Sequence, residues 1–130
     1  SIDKQYIYGV EIRNPNFLKN PIFDFLERNN LAMVFLQGYY MPPIWEVFNG
    51  YKDHIKSTAV IRLHGPDRSG IEKKTGNIWN QIVEPKDEEL DKVAEIIYYL
   101  KNKKVDTYVN VNNHYEGSAP LTIKKIHKLL

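Results

Sequence analysis

Charged side chains occur near the ends of segments whose sequence is typical of β-strands. Glu11 and Arg13 lie at the end of the first such segment. Arg62 and His64 lie at the end of the third. Arginine binds carboxylate and phosphate groups through charge-assisted hydrogen bonds, whereas glutamate and histidine can transfer protons. These residues predict a site for a small polar or anionic molecule. Glu11 and His64 are the candidate catalytic acid/base residues, and the two arginines are the candidate substrate-binding residues.

A run of polar residues follows the fourth strand-like segment, at Asn112, Asn113 and His114. An amide side chain both donates and accepts hydrogen bonds, so Asn112 is predicted to orient a substrate. Asn113 and His114 are predicted to add further substrate contacts, and His114 is also a second acid/base candidate. The predicted site therefore draws on at least three strands.

The same residues allow a purely structural interpretation. Glu11 could pair with Arg62, and the asparagine side chains could bond the backbone, which would give a satisfied polar layer without a ligand. Buried arginine and glutamate are rare unless paired, and their occurrence at matching depth on several strands exceeds what one structural pair requires. The sequence favours a ligand site and leaves the polar layer as the alternative.

The segments that position these residues alternate between strand and helix patterns. β-Branched and aromatic residues predict strands at 6–13, 31–37, 57–63 and 105–111. Apolar stripes predict a short helix at 20–30, a long helix capped by Asp87 and a last helix opened by Ser118. Residues 39–51 suggest a loop with a helical turn, and residues 67–85 a long loop. The predicted fold is therefore α/β, with four successive strand–helix units.

This alternation implies parallel strands joined by right-handed crossovers. Side chains alternate along a strand, so Glu11 and Arg13 share one face of the first strand. By the same parity, Arg62 and His64 share one face of the third. The carboxyl ends of parallel strands meet at one edge, where βα proteins bind ligands. Two architectures fit this order, a small open doubly wound sheet and part of a (βα)8 barrel.

Composition excludes several classes of function. The 130 residues carry a net charge of +2, which gives no broad field for nucleic acid or anionic lipid. The chain has no cysteine, which excludes disulfides and thiolate metal sites and fits a cytoplasmic location. It contains no apolar run of membrane-spanning length and neither of the common glycine-rich nucleotide motifs. No metal site is predicted, and the pattern indicates no particular cofactor.

Three motifs together resemble a known family. They are E-x-R at 11–13, R-L-H-G at 62–65 and N-N-H-Y-E-G-S-A-P at 112–120. In this order they resemble the YecE-like family, domain of unknown function seventy-two. The resemblance covers nearly the whole chain and implies a TIM-type (βα)8 barrel with its site at the strand ends. The family has no established reaction, so the resemblance implies no chemistry.

The resemblance also bears on completeness. Members usually begin with a strand that contains Gly and Trp and with a Tyr-Pro segment, and this sequence shows nothing similar. A (βα)8 barrel takes about 250 residues, so residues 1–130 look like one (βα)4 unit, the C-terminal half of such a barrel. We therefore expect the partner to be an N-terminal barrel half or a second copy of the chain.

These observations lead to one functional expectation and two alternatives. We expect an enzyme of the hydrolase or lyase type that acts on a small polar or anionic substrate. The first alternative is a non-catalytic binding or regulatory module for a phosphorylated ligand. The second is a nucleic-acid processing protein, which Arg68, Lys73 and Lys74 suggest and which the near-neutral charge disfavours.

Overall fold

The computed structural model describes residues 6–130, which form a four-stranded parallel sheet with helices against it. The strands are β1 (Gly9–Glu11), β2 (Ala32–Gly38), β3 (Thr58–Gly65) and β4 (Asp106–Val111). The helices are α1 (Asn20–Arg28), α2 (Ile44–Tyr51), α3 (Arg68–Thr75), α4 (Asp87–Asn102) and α5 (Ala119–Leu129). Two 3-10 turns occupy Pro15–Phe17 and Lys52–His54. The predicted α/β fold with four parallel strands is confirmed, and the first five residues of the predicted unit lie outside the described residues.

One hydrophobic core lies between the sheet and its helices. The central strands contribute alternate residues to this core, namely Met33, Phe35, Ile61 and Leu63. Helices α1, α2, α4 and α5 contribute buried side chains that include Leu26, Phe48, Leu90 and Ile126. Because the strand residues in the core share one parity, these four helices cover the same face of the sheet.

The opposite face of the sheet, which we call the open face, carries no helix in the part of the chain that the structure describes, although Ala32 and Leu36 of β2 are buried on it. Tyr108 and Asn110 of β4 are exposed there, and Val34 and Val60 are half-buried. The strand order is β1-β2-β3-β4, so each crossover leads to the next strand in the same direction. Right-handed crossovers of this kind place all connecting helices on one side. The structure therefore matches a singly wound sheet, and the doubly wound alternative is wrong.

The structure contains two helices, α2 and α3, in segments that the sequence predicted to be largely loop. Residues 39–51 contain α2, a regular helix of two turns, rather than a single turn. The long loop predicted at 67–85 begins with α3. The Asp67 side chain caps α3 by accepting from the Gly70 N–H at 2.9 Å, and Gly76 ends it in the left-handed conformation. Only Ile71 of this helix is buried, so no apolar stripe revealed it.

The predicted starts of α4 and α5 lie within one residue of the observed ones. Helix α5 begins after Ser118, whose hydroxyl accepts from the Leu121 N–H, as predicted. Helix α4 begins at Asp87 itself, and Lys86 is the N-cap in place of Asp87. Within residues 6–130, none of the helices combines the length and apolar character needed to cross a bilayer.

Candidate functional site

The structure brings five of the predicted residues together at the carboxyl end of the sheet. They are Glu11, Arg13, Arg62, His64 and Asn112, which we call the strand-end cluster. They follow or end β1, β3 and β4. In β3 the residues Ala59, Ile61 and Leu63 are buried against helices, so Arg62 and His64 project from the open face. The parity predicted from the sequence is confirmed.

Glu11 lies between two arginines. Its Oε1 accepts from Nη1 of Arg62 at 2.8 Å, and its Oε2 accepts from Nε of Arg13 at 2.6 Å. Burial alone would raise the pKa of Glu11, but the hydrogen bonds from Arg13 and Arg62 hold this pKa below its usual value. Glu11 is therefore a carboxylate in the neutral pH range. Two guanidinium groups against one carboxylate leave one net positive charge.

His64 joins this group to its neighbours. Its Nε2 lies 3.0 Å from Nη2 of Arg62 and 3.5 Å from Nδ2 of Asn112. Its Nδ1 lies 3.0 Å from the hydroxyl oxygen of Tyr39. Burial lowers the pKa of His64, and the positive charges of Arg62 and Arg13 lower it further. His64 is therefore held in its neutral form at pH 7.

Tyr39 is a member of the site that the sequence did not predict. It follows β2 directly and has a φ of 54°, which is rare for a residue with a side chain. The preceding Gly38 lies against Gly65, because a Cβ at Gly38 would be 2.6 Å from the Gly65 carbonyl oxygen. The Tyr39 N–H also donates to that oxygen at 3.2 Å. This glycine contact at the ends of β2 and β3 turns Tyr39 towards His64.

A second set of contacts extends from Asn112. The Asn112 Oδ1 accepts from the His114 backbone N–H at 2.8 Å and lies 2.6 Å from Nδ1 of the same ring. The His114 Nε2 lies 3.0 Å from the Glu72 carboxylate. Hydrogen bonds from His114 and from Arg68 lower the pKa of Glu72. The ring of Trp79 lies 4.6 Å from that of His114, so this loop residue anchors the site's edge.

Glu116 holds the loop that carries Asn112 and His114. This glutamate is fully buried, and its Oε1 accepts from the Thr122 hydroxyl at 2.6 Å. Its Oε2 accepts from the Lys86 backbone N–H at 2.8 Å and from the Lys125 ammonium group. The Glu116 carbonyl oxygen accepts the backbone N–H groups of residues 83 and 84. The β4–α5 loop is thereby fixed to the segment before α4.

Asn113 and Gln37 also lie near strand ends, but their side chains make contacts outside the strand-end cluster. The Asn113 Oδ1 accepts from the Ala119 N–H at 2.8 Å at the start of α5, so this predicted substrate contact supports the backbone of its own loop. The Gln37 side chain points to the helix side and contacts Glu89 and the Ile44 N–H. Neither residue belongs to the strand-end cluster. Across residues 6–130, no group of three or more metal-binding side chains is arranged around a common point.

Comparison with protein families identifies the relatives of this chain. The family model described as "Protein of unknown function DUF72" matches residues 1–130. The chain belongs to the DUF72 family. The resemblance inferred from the three sequence motifs is therefore confirmed. No curated protein matches the chain.

Two solved structures of DUF72 family proteins share the fold. One is from Enterococcus faecalis V583, with a TM-score of 0.67 and 17% identity, and the match covers 98% of this chain and 48% of that protein. The other is from Thermotoga maritima MSB8, with a TM-score of 0.67 and 22% identity, and the match covers 95% and 46%. This chain thus spans about half the length of both solved relatives.

Proposed function

We propose that this DUF72 family protein binds a small anionic molecule at the strand-end cluster and acts on it as an enzyme of the hydrolase or lyase type. The observation that carries the proposal is the net positive charge of the cluster, in which Arg13 and Arg62 share the single carboxylate of Glu11. A polar layer that served only the fold would need one guanidinium group to satisfy one carboxylate.

The arginines also keep unused donors. A guanidinium group has five N–H bonds. Among residues 6–130, Arg13 donates only its Nε–H to a side chain, and 59% of its side chain is exposed. Arg62 is 35% exposed. Both can therefore bind a carboxylate or phosphate group without releasing Glu11, and such charge-assisted bonds are among the stronger ones in proteins.

Titration with inorganic phosphate at low salt tests binding, followed by calorimetry or by chemical shifts of the cluster residues. Arg13→Ala should weaken phosphate binding about tenfold, which corresponds to one charge-assisted hydrogen bond. Arg28→Ala removes the same charge from the last turn of α1, outside the cluster, and should leave binding unchanged. Wild-type protein that shows no binding of phosphate or of small carboxylates would refute the proposal.

The alternative is a binding module that holds a phosphorylated ligand without chemistry. The two functions share the arginines and differ at His64, whose neutral ring can take part in proton transfer. Nitrophenyl phosphate and carboxylate esters provide a general test for turnover. An enzyme should lose turnover in His64→Asn by a much larger factor than its affinity for phosphate falls. Binding without turnover of any substrate would favour the binding module.

We also propose that a second (βα)4 unit covers the open face of the sheet. Tyr108 and Asn110 are exposed, and among residues 6–130 no further strand pairs with the outer edges of β1 and β4. An isolated domain rarely leaves such a surface to solvent. The solved relatives contain a comparable length of chain beyond the matched half. An N-terminal barrel half would complete a TIM-type barrel here. When this chain is alone, a second copy should take that position.

A further inference from the structure

Both ring nitrogens of His64 are already occupied in the folded protein. Nε2 faces Arg62 and Asn112, and Nδ1 faces the hydroxyl group of Tyr39. A ligand can therefore reach neither nitrogen without displacing one of these neighbours. A group of the site other than His64 must therefore contact the ligand.

The neighbours of Nε2 determine where the ring proton lies. The guanidinium group of Arg62 can only donate hydrogen bonds. The amide of Asn112 is oriented by the His114 N–H, which its oxygen accepts, so that its NH2 group faces Nε2. Two donors point at Nε2, and this nitrogen must accept. The neutral ring consequently carries its proton on Nδ1.

This proton fixes the direction of the next hydrogen bond. Nδ1–H donates to the Tyr39 oxygen over 3.0 Å, so the Tyr39 hydroxyl accepts from His64 and keeps its own hydrogen available. Within residues 6–130 that hydroxyl has no second partner. Tyr39 is 36% exposed, and the Arg13 guanidinium carbon lies 5.7 Å from its ring centroid. The ring that carries this O–H thus lies beside Arg13, the most exposed cation of the cluster.

The backbone supports a functional role for this tyrosine. Its left-handed conformation is unfavourable for a residue with a Cβ, and such conformations concentrate at ligand sites. The Tyr39 N–H donates to the Gly65 carbonyl oxygen in this conformation, next to the close approach of Gly38 and Gly65. Hydrogen bonding and backbone geometry therefore point to the same residue independently.

We propose that Tyr39 donates the hydrogen bond with which the site holds an oxyanion of its ligand, and that His64 is a positioning residue that acts through Tyr39. The proposal rests on the proposed function and specifies it. The Tyr39 hydroxyl already accepts from His64 and has a hydrogen to donate, and Arg13 can only donate, so a phosphate or carboxylate oxygen fits between them as the acceptor. His64 orients the phenol and does not contact the ligand itself.

The tautomer of His64 is measurable without any ligand. Long-range ¹H–¹⁵N correlation spectra of the labelled full chain at pH 7.5 should show a protonated Nδ1 and an unprotonated Nε2. The opposite tautomer, or an imidazolium ring at this pH, would overturn the proposal because the Tyr39 hydrogen would no longer be free.

The ligand contact is tested with inorganic phosphate. Tyr39→Phe should weaken phosphate binding about tenfold, as expected for loss of a hydrogen bond to a charged acceptor. Tyr40→Phe is the matched control, since Tyr40 is the next residue and is 99% exposed. Equal binding by Tyr39→Phe and wild type, with Arg13→Ala still weakened, would overturn this inference and leave the proposed function intact.

A double-mutant cycle separates positioning from structural support. His64→Asn should weaken phosphate binding in the wild-type background and should have no further effect in Tyr39→Phe. Additive losses would show that His64 acts independently of Tyr39 and would overturn its positioning role. Wild-type protein that binds no phosphate would instead remove the proposed function together with the ligand role of Tyr39.

Discussion

Substitution of Glu11 by glutamine separates the two possible roles of this carboxylate. Glu11 is a candidate catalytic residue from the sequence, yet the structure uses both its oxygens to hold Arg13 and Arg62. Glu11→Gln keeps the shape of the side chain and one acceptor oxygen, but it removes the negative charge. The cluster would then carry two positive charges in place of one. We therefore expect the variant to bind an anion more tightly than wild type.

The expected magnitudes follow from the geometry. An anionic oxygen about 6 Å from Glu11, at an effective dielectric constant of about 60, is repelled by about 1 kcal/mol, or about fivefold in affinity. The fold should lose about 1–3 kcal/mol, because the exposed Arg13 pair contributes little and the more buried Arg62 pair contributes most. Binding and stability should thus change in opposite directions.

Isothermal calorimetry with inorganic phosphate at low ionic strength measures the affinity, and urea unfolding measures the stability. Glu95→Gln, an exposed change of the same charge on α4, should alter neither quantity. Unchanged or weaker phosphate binding by a folded Glu11→Gln would refute the electrostatic reasoning. If wild type shows turnover, complete loss of that turnover in Glu11→Gln would support an acid/base role for Glu11.

Other perturbations give equally definite expectations. Glu116→Ala leaves Thr122, the Lys86 N–H and Lys125 without their shared acceptor, so urea unfolding should show a loss of about 3–5 kcal/mol; a loss below about 1 kcal/mol would contradict the role given to this residue. Because the pKa of His64 is lowered in the folded protein, the unfolded chain binds this proton more readily, and stability should decrease as pH falls from about 6.5 through the folded pKa. Urea midpoints between about pH 5 and 8 should therefore decline less steeply in His64→Asn than in wild type. Light scattering of the chain alone should give twice its mass of 15.3 kDa, and a stable monomer would refute the proposed cover over the open face.

The fold was predictable from sequence where apolar periodicity and strand length agree. Strands β2 and β3 and helix α4 each bury several apolar side chains in the core. Their apolar residues therefore recur at the spacing of a strand or a helix, which the sequence shows directly. Helix α3 was not predicted because Ile71 is its one buried residue, and only the capping residues Asp67 and Gly76 marked its ends. Strand β1 is shorter than the β-rich segment 6–13, since its pairing with β2 is limited to Gly9–Glu11.

The site was predictable to the extent that it follows strand parity. Arg62, His64 and Glu11 point to the open face because every second residue of a strand does so. Tyr39 could not be found in this way, since its direction depends on a left-handed residue after the strand. Glu72 could not be found either, because it reaches His114 from a helix that the sequence pattern did not reveal.

The contact between Gly38 and Gly65 has a consequence for the thermodynamics of ligand binding. A Cβ at Gly38 would lie 2.6 Å from the Gly65 carbonyl oxygen, and a Cβ at Gly65 would lie 2.5 Å from the His114 carbonyl oxygen, so the ends of β2 and β3 and the loop after β4 are in direct backbone contact. Tyr39 and His64, which adjoin these glycines, therefore keep a fixed separation before any ligand arrives. Ordering flexible groups normally consumes part of the free energy of association. At the proposed ligand site this ordering is completed when the chain folds, so a ligand that contacts Tyr39 would lose little free energy to ordering that side chain.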